Sequence, residues 1–386
     1  MRVALVHDWL TGMRGGERVL EGLLDLFPQA EIHALLHVPG SVSERIEARP
    51  IHTSVVQRLP RAADRYRWYL PLFPWAIEQL SLSGYDLVIS SSHCAAKAVL
   101  TDPGTPHLCY CHTPMRYAWD QFDAYFSPQR NGRLAYPAIR GTIAWLRRWD
   151  RATACRVDAF AANSAWVAGR ISRYYGRTAT VVPPPVDTEF FRPDPDAHVE
   201  DFYLVVSALS PYKRNEVVID AFNRMQQRLV VVGTGPDARH LEGLAGPTVE
   251  MRGWVDADEL RALYQRCRGL VLAAVEDAGI VPLEAMACGR PALVLARGGA
   301  GEAVRDGSTG ILIREQTAEA VADAVDTAET TSFNTSEIRD SALRYAPDRF
   351  LGRLSAFIVD SLSNVAPGAP LGKTDVSPAL EREQPR

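Results

Sequence analysis

Two glutamates beside a predicted helix start are the strongest chemical signal in this 386-residue sequence. Glu276 and Glu284 lie in the segment Glu276-Asp277-Ala278-Gly279-Ile280-Val281-Pro282-Leu283-Glu284-Ala285-Met286-Ala287-Cys288-Gly289. An apolar strand ends near Ala274, Pro282 suits the first helical position, and Gly289 suits the position after the helix. A helix start presents unpaired amides and a positive dipole end, which suit a phosphate, and a glutamate on each side can bind hydroxyls. This context favours a binding site over a surface acid plus a capping acid.

Two adjacent cations follow another predicted strand. Lys213 and Arg214 end the run Ser207-Ala208-Leu209-Ser210-Pro211-Tyr212-Lys213-Arg214, between the first strand of the second half and the next helix. Against a dry wall, such cations can neutralise the charge that develops on a departing diphosphate. From two residues alone, ordinary solvated side chains are the more frequent explanation.

A glycine loop follows the first strand. Gly12, Gly15 and Gly16 precede a predicted helix over about 17–27, and Gly15 and Gly16 allow close backbone approach to a phosphate. The three glycines do not fit the dinucleotide fingerprint, and the expected acid after the second strand is missing. A nicotinamide-dependent enzyme is therefore a poor interpretation.

A histidine with aromatic neighbours follows a further apolar strand. His112 begins a stretch that continues through Arg116, Tyr117, Trp119 and Asp120. The carboxyl end of a strand in an open α/β sheet is the expected place for substrate contact, and aromatic faces can stack on a sugar ring. A lone histidine is more often a structural hydrogen-bonding residue than a catalyst.

The elements that must position these residues alternate between strands and helices in two series. This alternation predicts an α/β protein with two Rossmann-like parallel-sheet domains. The proline run at 183–185 separates the domains, so we expect them to cover residues 1–185 and 186–346. A last amphipathic helix over 347–365 can pack on either domain. The tail 366–386 is rich in Pro, Gly, Ser and charge, and we expect it to be disordered.

Composition excludes several classes of protein. The net charge of −4 provides no general basic field, which argues against nucleic acid as a partner. No apolar run is long enough for a bilayer span, so we expect a cytoplasmic protein. The six scattered cysteines indicate reduced thiols in that compartment.

Metal binding and serine hydrolysis are also set aside. The cluster His93, Cys94, Cys109, Cys111 and His112 lacks two paired ligand sets for zinc. The acid pair Asp256 and Asp258 immediately precedes a helix, so capping explains it better than a divalent ion. No Gly-x-Ser-x-Gly elbow occurs. We expect no metal.

Over about residues 1–365 the sequence resembles the family 4 glycosyltransferases, retaining enzymes of the GT-B fold in which two Rossmann-like domains face a central cleft. By this resemblance Glu276 lies beside the donor sugar, Glu284 holds the ribose, and Lys213 binds the phosphates. The resemblance also implies that the backbone amides of Gly279, Ile280 and Val281 face the sugar and the phosphate. It implies that the glycine loop, with Gly15 and Gly16, closes over the donor.

The resemblance also bears on the other candidates. His112 matches a histidine that touches the donor sugar, so the catalytic set becomes Glu276, His112 and Lys213. Relatives commonly carry an aromatic residue in place of Ala278 and an arginine in place of Ala208. Arg214 then becomes the candidate for the second phosphate cation. The acceptor roles of Arg116, Tyr117, Trp119 and Asp120 rest on position alone.

The closest resemblance is to bacterial α-mannosyltransferases of O-antigen and exopolysaccharide assembly, in the ranges 3–17, 90–97 and 112–120. It implies a metal-independent enzyme that transfers mannose from GDP-mannose to a polyprenyl-diphosphate-linked glycan. The alternatives are a transferase or epimerase that uses a UDP-sugar, and a catalytically idle protein that binds sugar nucleotides.

Two arginine- and aromatic-rich stretches bear on location. Residues 61–80 and 144–149 interleave Arg with Trp, Tyr, Leu and Phe. They suit either peripheral contact with an anionic membrane, at the inner face of the cell membrane, or packed helices with snorkelling arginines.

Overall fold

The computed structural model describes residues 1–128 and 132–365. The chain divides into two compact units, which we call unit 1 and unit 2. Unit 1 contains Met1–Pro184 together with the described residues from Asp348 onward, and unit 2 contains Pro185–Pro347. The tail 366–386, for which the sequence predicts disorder, lies outside the described residues.

Unit 1 is built on a seven-stranded parallel sheet with the strand order β3-β2-β1-β4-β5-β6-β7. The strand bounds are β1 Val3–His7, β2 Glu31–Ala34, β3 Ile51–Thr53, β4 Leu87–Ser92, β5 His107–Cys111, β6 Ala159–Ala162 and β7 Ala179–Val181. Successive strands are added to one side of β1 as far as β3, and from β4 onward they are added to its other side, so the strand order reverses between β1 and β4. In sheets of this kind, ligands bind beyond the carboxyl ends of the strands at that point.

Helices cover both faces of this sheet. The α-helices are Gly15–Leu26, Glu44–Glu47, Ala62–Arg65, Phe73–Glu78, Arg116–Trp119, Phe122–Tyr125, Tyr136–Ala152, Ala165–Tyr175 and Pro347–Val365. Short 3-10 turns cover Val55–Arg58, Tyr66–Leu72, Ala96–Ala98 and Thr153–Arg156. Alternate residues of β1 enter separate cores, with Val3 and Leu5 on one face and Ala4 and Val6 on the other.

The C-terminal helix belongs to unit 1. Phe350 is buried in the same core as Val3 and Leu5. A Cβ added at Gly22 would lie 2.5 Å from Cε1 of Phe350, so the glycine is what lets the aromatic ring approach its helix. Pro347–Val365 therefore completes one face of the first sheet.

Unit 2 is built on a six-stranded parallel sheet with the order β10-β9-β8-β11-β12-β13. The strand bounds are β8 Tyr203–Val206, β9 Leu229–Val232, β10 Val249–Gly253, β11 Leu270–Leu272, β12 Ala292–Leu295 and β13 Gly310–Ile313. In this sheet the strand order reverses between β8 and β11. Two parallel sheets with flanking helices confirm the predicted fold class.

Three of the helices described in unit 2 begin at side-chain caps, namely Asp256, Thr317 and Asn334. The α-helices are Asn215–Met225, Ala238–Leu244, Ala257–Arg266, Ile280–Ala287, Gly299–Ala303, Ala318–Thr330 and Thr335–Leu343, and a 3-10 turn covers Pro211–Lys213. Asp256 accepts a hydrogen bond of 2.8 Å from the amide of Glu259, which confirms the capping interpretation of that acid. In the described ranges, 1–128 and 132–365, no helix combines the length and apolar content that crossing a bilayer requires.

Candidate functional site

The strand reversal of unit 2 brings together two of the predicted residues. Lys213 ends the 3-10 turn that follows β8, and Glu276 lies in the loop that follows β11. The ammonium group of Lys213 forms an ion pair with the carboxylate of Glu276. Their side chains are 12% and 13% exposed, so the pair is only weakly screened by water. An anionic ligand that binds at this edge can replace the carboxylate as the partner of the Lys213 ammonium group.

Close glycine packing supports the loop that carries Glu276. A Cβ added at Gly298 would lie 2.6 Å from the carbonyl oxygen of Glu276, and one added at Gly299 would lie 2.1 Å from the carbonyl oxygen of Asp277. The amide of Gly299 also donates a 2.7 Å hydrogen bond to the Glu276 carbonyl. Gly298 and Gly299 are not among the predicted site residues, although the run Arg297-Gly298-Gly299-Ala300-Gly301 is a visible signal in the sequence.

The helix after this loop begins earlier than the sequence predicts. Gly279 is the N-cap with φ of 72°, and the helix starts at Ile280. Pro282 is thus the third helical residue rather than the first, and Glu284 lies in the second turn. A positive φ suits glycine, so Gly279 fixes the start. The amides of Ile280 and Val281 thus occupy the first two helical positions, whose N–H groups have no intrahelical acceptor.

Glu284 is oriented by a tyrosine that sequence reasoning missed. The hydroxyl of Tyr264 donates a 2.9 Å hydrogen bond to Oε2 of Glu284. Burial raises the pKa of Tyr264 well above its ordinary value, and the Glu284 carboxylate raises it further. Tyr264 therefore remains a donor at any physiological pH. One carboxylate oxygen of Glu284 is held by this bond.

Arg214 lies at the surface of unit 2. Its backbone has φ of 53°, and its Nε lies 2.6 Å from Oε1 of Glu216. The structure thus gives Arg214 a partner of its own beside the Lys213 turn. Its assignment as the second phosphate cation stays a prediction.

In unit 1, His112 belongs to a cluster of three imidazoles. The ring centroids of His7, His93 and His112 lie 6.3–6.4 Å from one another. Burial lowers the pKa of His112 well below its ordinary value, and the two other histidines lower it further. His112 is therefore a neutral imidazole. His7 is not among the predicted residues, and His93 is considered there only as a zinc ligand, because the three histidines lie at the ends of separate strands.

The glycine loop and the histidine cluster are in contact. A Cβ added at Gly16 would lie 3.3 Å from Cε1 of His7 and 3.6 Å from Nε2 of His112. Gly15 and Gly16 are the first two residues of the helix Gly15–Leu26. The structure thus brings together the predicted glycine loop and the predicted histidine at the carboxyl edge of the first sheet.

Asp8 anchors the third histidine. Its carboxylate accepts hydrogen bonds of 2.5–2.9 Å from four consecutive amides, those of residues 93–96. Oδ2 of Asp8 also lies 3.1 Å from Nδ1 of His93. Because Asp8 is fully buried, these donors compensate for the desolvation of its charge. Asp8 therefore fixes the loop that presents His93.

The predicted acceptor residues are partly engaged within unit 1. The hydroxyl of Tyr117 lies 2.9 Å from Sγ of Cys94. Nε1 of Trp119 donates a 2.7 Å hydrogen bond to Asp150, and the Trp119 ring stacks on Tyr174. These contacts give both aromatic residues a structural role whether or not a substrate is bound.

Asp120 and Arg116 lie close by. Asp120 accepts a 2.7 Å hydrogen bond from the buried Arg170, and Arg116 begins the short helix Arg116–Trp119. A cavity of about 350 Å³ opens beside Asp120. It is lined by Trp119, Asp120, Phe122, Asp123, Arg140, Ile143, Ala144 and Arg147. Two of the four predicted acceptor residues thus border one cavity.

A buried lysine compensates for the burial of the Asp150 carboxylate. Nζ of Lys97 lies 3.0 Å from Oδ1 of Asp150 and donates to the Asp150 carbonyl at 2.7 Å. Tyr175 donates to the same carboxylate at 2.9 Å. This fully buried pair ties the turn after β4 to the helix Tyr136–Ala152 and to Trp119.

One cluster has the residue types of a metal site. The ligand atoms of Glu31, His33 and His52 lie within 4.8 Å of one another. However, the two imidazoles stack, with centroids 4.8 Å apart and an interplanar angle of 28°. Stacked rings direct their nitrogen lone pairs side by side rather than toward one ion. Hydrogen bonds of His52 and Tyr85 to Glu31, at 2.9 and 2.8 Å, account for the cluster.

Two family models match the chain. The model described as "Glycosyltransferase Family 4" matches residues 13–190, and the model described as "Glycosyl transferases group 1" matches residues 187–347.

Similar curated proteins include mannosyltransferases. A GDP-mannose-dependent alpha-(1-6)-phosphatidylinositol monomannoside mannosyltransferase of Mycolicibacterium smegmatis is 35% identical over 194 residues, which cover 42% of this chain and 50% of that protein. The protein of the same name from Mycobacterium tuberculosis is 33% identical over 193 residues, with coverage of 42% and 50%. The chain thus spans about half the length of the curated relatives it matches.

Solved structures share the fold. The Anabaena protein HepE in complex with UDP-glucose has a TM-score of 0.67 at 17% identity and covers 93% of this chain and 100% of its own. Sucrose-phosphate synthase from Thermosynechococcus elongatus has a TM-score of 0.72 at 16% identity, with coverage of 94% and 100%. At these identities the likeness concerns the fold alone.

Proposed function

The chain belongs to the family 4 glycosyltransferases, since the two family models together match residues 13–347, and from this premise we propose that it transfers a hexose from a nucleotide diphosphate with retention of configuration. The favoured donor is GDP-mannose, and the favoured acceptor is a lipid-linked oligosaccharide of cell-surface polysaccharide assembly. The names of similar proteins support a mannosyl donor and a glycolipid acceptor.

The ion pair of Lys213 with Glu276 carries the proposal. A diphosphate has more negative charge than a carboxylate, so it competes for the ammonium group of Lys213 when the donor enters. Glu276 is then released to accept hydrogen bonds from sugar hydroxyls. The same charge on Lys213 stabilises the nucleotide diphosphate as it departs, where electrostatic stabilisation contributes most.

The remaining donor contacts divide by chemistry. In unit 2 the proposal assigns the amides of Gly279, Ile280 and Val281 to sugar and phosphate, and the carboxylate of Glu284 to the ribose. In unit 1 it assigns Gly15, Gly16 and His112 to the donor. No side chain is assigned as a nucleophile, because the acceptor hydroxyl attacks on the face that the phosphate leaves, and that phosphate helps to take its proton. No metal has a role in this mechanism.

The cavity beside Asp120 is the proposed acceptor region. Arg140 and Arg147 line it, and guanidinium groups suit a phosphate or diphosphate by charge and geometry. A polyprenyl diphosphate carrier supplies such a group. Trp119 and Asp120 border the same cavity, which keeps them as acceptor candidates together with Arg116 and Tyr117.

We place the protein at an anionic membrane surface as a peripheral partner, at the inner face of the cell membrane. Trp68, Leu72 and Trp75 are exposed in unit 1, and the guanidinium carbon of Arg65 lies 4.2 Å from the Trp68 ring centroid. Exposed tryptophans next to arginines suit the interface between headgroups and acyl chains. A lipid-linked acceptor requires such proximity.

Calorimetry with a panel of GDP-, UDP- and ADP-sugars in the presence of EDTA tests the proposal. We expect GDP-mannose to bind most tightly, and Glu276→Gln to lose turnover. Tight binding that needs Mg²⁺ or Mn²⁺ would overturn the metal-independent mechanism. Preference for a UDP-sugar, epimerisation of the sugar without an acceptor, or binding without turnover that Glu276→Ala does not weaken would each support an alternative function.

A further inference from the structure

Four buried or half-buried side chains form a continuous row behind the glycine loop of unit 1. Oε1 of Glu17 lies 3.6 Å from Nε2 of His7, and Nδ1 of His7 lies 3.1 Å from Oγ of Ser91. Oγ of Ser91 then lies 2.8 Å from Nε2 of His112. His7 and Ser91 are fully buried, and Glu17 is 4% exposed.

The sheet register builds this row. In the parallel pairing of β1 with β4, His7 lies directly opposite Ser91. In the pairing of β4 with β5, Ser91 lies opposite Tyr110, and His112 follows two residues later. Glu17 comes from the first turn of the next helix and accepts a 2.9 Å hydrogen bond from the amide of Arg14. Each member is thus fixed by a separate backbone element.

The charge of Glu17 determines which atom donates and which accepts in each hydrogen bond of the row. Burial by itself would raise the pKa of Glu17, but the neighbouring His7 and backbone hydrogen bonding outweigh it, so the pKa is lowered overall. An ionised carboxylate at 3.6 Å favours a proton on Nε2 of His7. When the His7 ring carries this one proton, its Nδ1 is a lone pair that accepts the hydroxyl proton of Ser91.

The same logic continues to His112. With its proton donated to His7, the Ser91 oxygen accepts from His112, so Nε2 of His112 carries the proton. Because His112 is neutral, its Nδ1 is left as a lone pair. Among residues 1–128 and 132–365, nothing hydrogen-bonds to that Nδ1. It can therefore accept a proton or a hydrogen bond from a ligand hydroxyl.

We propose that Glu17, His7 and Ser91 are positioning residues that hold His112 in the Nε2–H tautomer, with Nδ1 presented to the substrate as an acceptor. Glu17 supplies the charge, and the hydrogen bonds of His7 and Ser91 then determine which ring nitrogen of His112 carries the proton. The role of His112 in transfer rests on the proposed function. The tautomer itself does not, because it is a property of the unliganded chain.

Nitrogen-15 NMR of histidine-labelled, unliganded protein measures the tautomer. Disappearance of one ring-nitrogen pair in His112→Asn assigns the signal. We expect a pyrrole-type Nε2 and a pyridine-type Nδ1 for His112 in the wild type, and a mixed tautomer in Ser91→Ala. Ser90→Ala is the matched control, because Ser90 lies on the same strand, is equally buried, and hydrogen-bonds at 2.9 Å to a different histidine, His107. It should leave the His112 shifts unchanged.

A second variant guards against misfolding of Ser91→Ala. Glu17→Gln keeps the side-chain size and removes only the charge, so it should also mix the His112 tautomers. A wild-type His112 with its proton on Nδ1 would overturn the proposal. So would unchanged His112 shifts in a folded Ser91→Ala or Glu17→Gln protein.

Kinetics separates this inference from the proposed function. Misorientation of His112 in Ser91→Ala should lower kcat for transfer by about 10- to 100-fold with little change in the donor KM. Unchanged kcat in a variant with mixed tautomers would overturn the positioning role and leave the glycosyltransferase proposal intact. A wild type that is inactive with every donor would overturn the glycosyltransferase proposal, and the NMR result would still decide the tautomer.

Discussion

The Lys213 ammonium group and the Glu276 carboxylate form an ion pair in unit 2, although the two residues follow different strands and lie 63 positions apart. This pairing means that neither charge is free before the donor arrives. Under the proposed function, donor binding exchanges one anionic partner of Lys213 for another, so we expect the two residues to act as one unit.

Removal of either charge should therefore abolish most of the transfer. We expect Lys213→Met and Glu276→Gln each to lower kcat by about 10²- to 10³-fold, the usual loss for one electrostatic group at a reacting centre. The double variant should be little worse than the poorer single variant, because residues that act together are not additive. Initial rates of transfer at saturating donor measure this.

A surface pair provides the control. Glu250 pairs with Arg252 at 2.5 Å on the edge strand β10, and Glu250→Gln removes a similar charge from an exposed position. It should leave kcat unchanged. Multiplicative losses in the Lys213 and Glu276 double variant would show instead that the two residues act independently.

The hydroxyl of Tyr264 should matter for the nucleotide and not for the sugar. Tyr264→Phe removes the donor that holds Glu284, at a cost of about 1 kcal/mol for one hydrogen bond, or about fivefold in nucleotide affinity. If Glu284 binds the ribose, the wild type should discriminate between a ribonucleotide and its 2′,3′-dideoxy analogue more strongly than Tyr264→Phe does. Calorimetry with both nucleotides tests this, and equal discrimination would contradict the assigned role of Glu284.

Gly299 should be indispensable for the loop that carries Glu276. A Cβ at this position would lie 2.1 Å from a backbone carbonyl oxygen, so Gly299→Ala must displace the backbone. Such overpacking costs about 1–3 kcal/mol, and we expect lower thermal stability together with weaker donor binding. Gly243→Ala is the control, because an added Cβ there meets nothing within 4 Å. A Gly299→Ala protein with wild-type stability and affinity would show that the loop tolerates the shift.

The sequence was informative wherever a strand is long and buried. β1, β4 and β5 are predictable because continuous apolar runs mark them. The edge strands Ile51–Thr53 and Ala179–Val181 were missed, because three-residue strands with mostly exposed side chains carry no such pattern. The strand Gly310–Ile313 is also absent from the predicted series, although its apolar run is as long as that of Leu270–Leu272, which the sequence predicts.

The site shows the same division between local and distant information. Glu276, Gly279 and Glu284 lie within one short segment between a predicted strand and a predicted helix, so local context is enough to make them candidates. Ser91 and Tyr264 could not be recognised, because their importance comes from contacts with His7, His112 and Glu284 that only sheet register and helix packing create. The sequence places the helix start at Pro282, but the helix begins at Ile280. Proline is tolerated throughout the first turn of a helix, so Pro282 does not identify the first residue.

Membrane contact should depend on the tryptophans of unit 1. We expect the double variant Trp68→Ser and Trp75→Ser to bind vesicles of phosphatidylglycerol and phosphatidylethanolamine less tightly than the wild type, since each exposed indole contributes apolar area at the interface. Trp254→Ser is the matched control, because Trp254 is 75% exposed but belongs to unit 2. Co-sedimentation measures binding. Equal losses in the control and the double variant would argue against a specific membrane face.

Mild acid should destabilise unit 1 through its buried histidines, among them His33 and His107. Burial, with a smaller contribution from His52, lowers the pKa of His33 to about 4, and burial also lowers the pKa of His107 to about 4. In the unfolded chain both imidazoles titrate near their ordinary value of 6.5. Between these values the unfolded state binds more protons than the folded state, so stability is complete above about pH 6.5 and falls as the pH drops toward 4.

The size of this effect follows from linkage. Each histidine should remove about 1.4 kcal/mol per pH unit inside the window from the free energy of unfolding. Urea denaturation at about pH 7 and about pH 5.5 measures the difference, and most carboxylates remain ionised in both conditions. His107→Gln removes one of these groups, so its unfolding free energy should depend on pH less steeply in this window. If the wild type is equally stable at both pH values, these imidazoles do not have to shed a proton when the sheet forms.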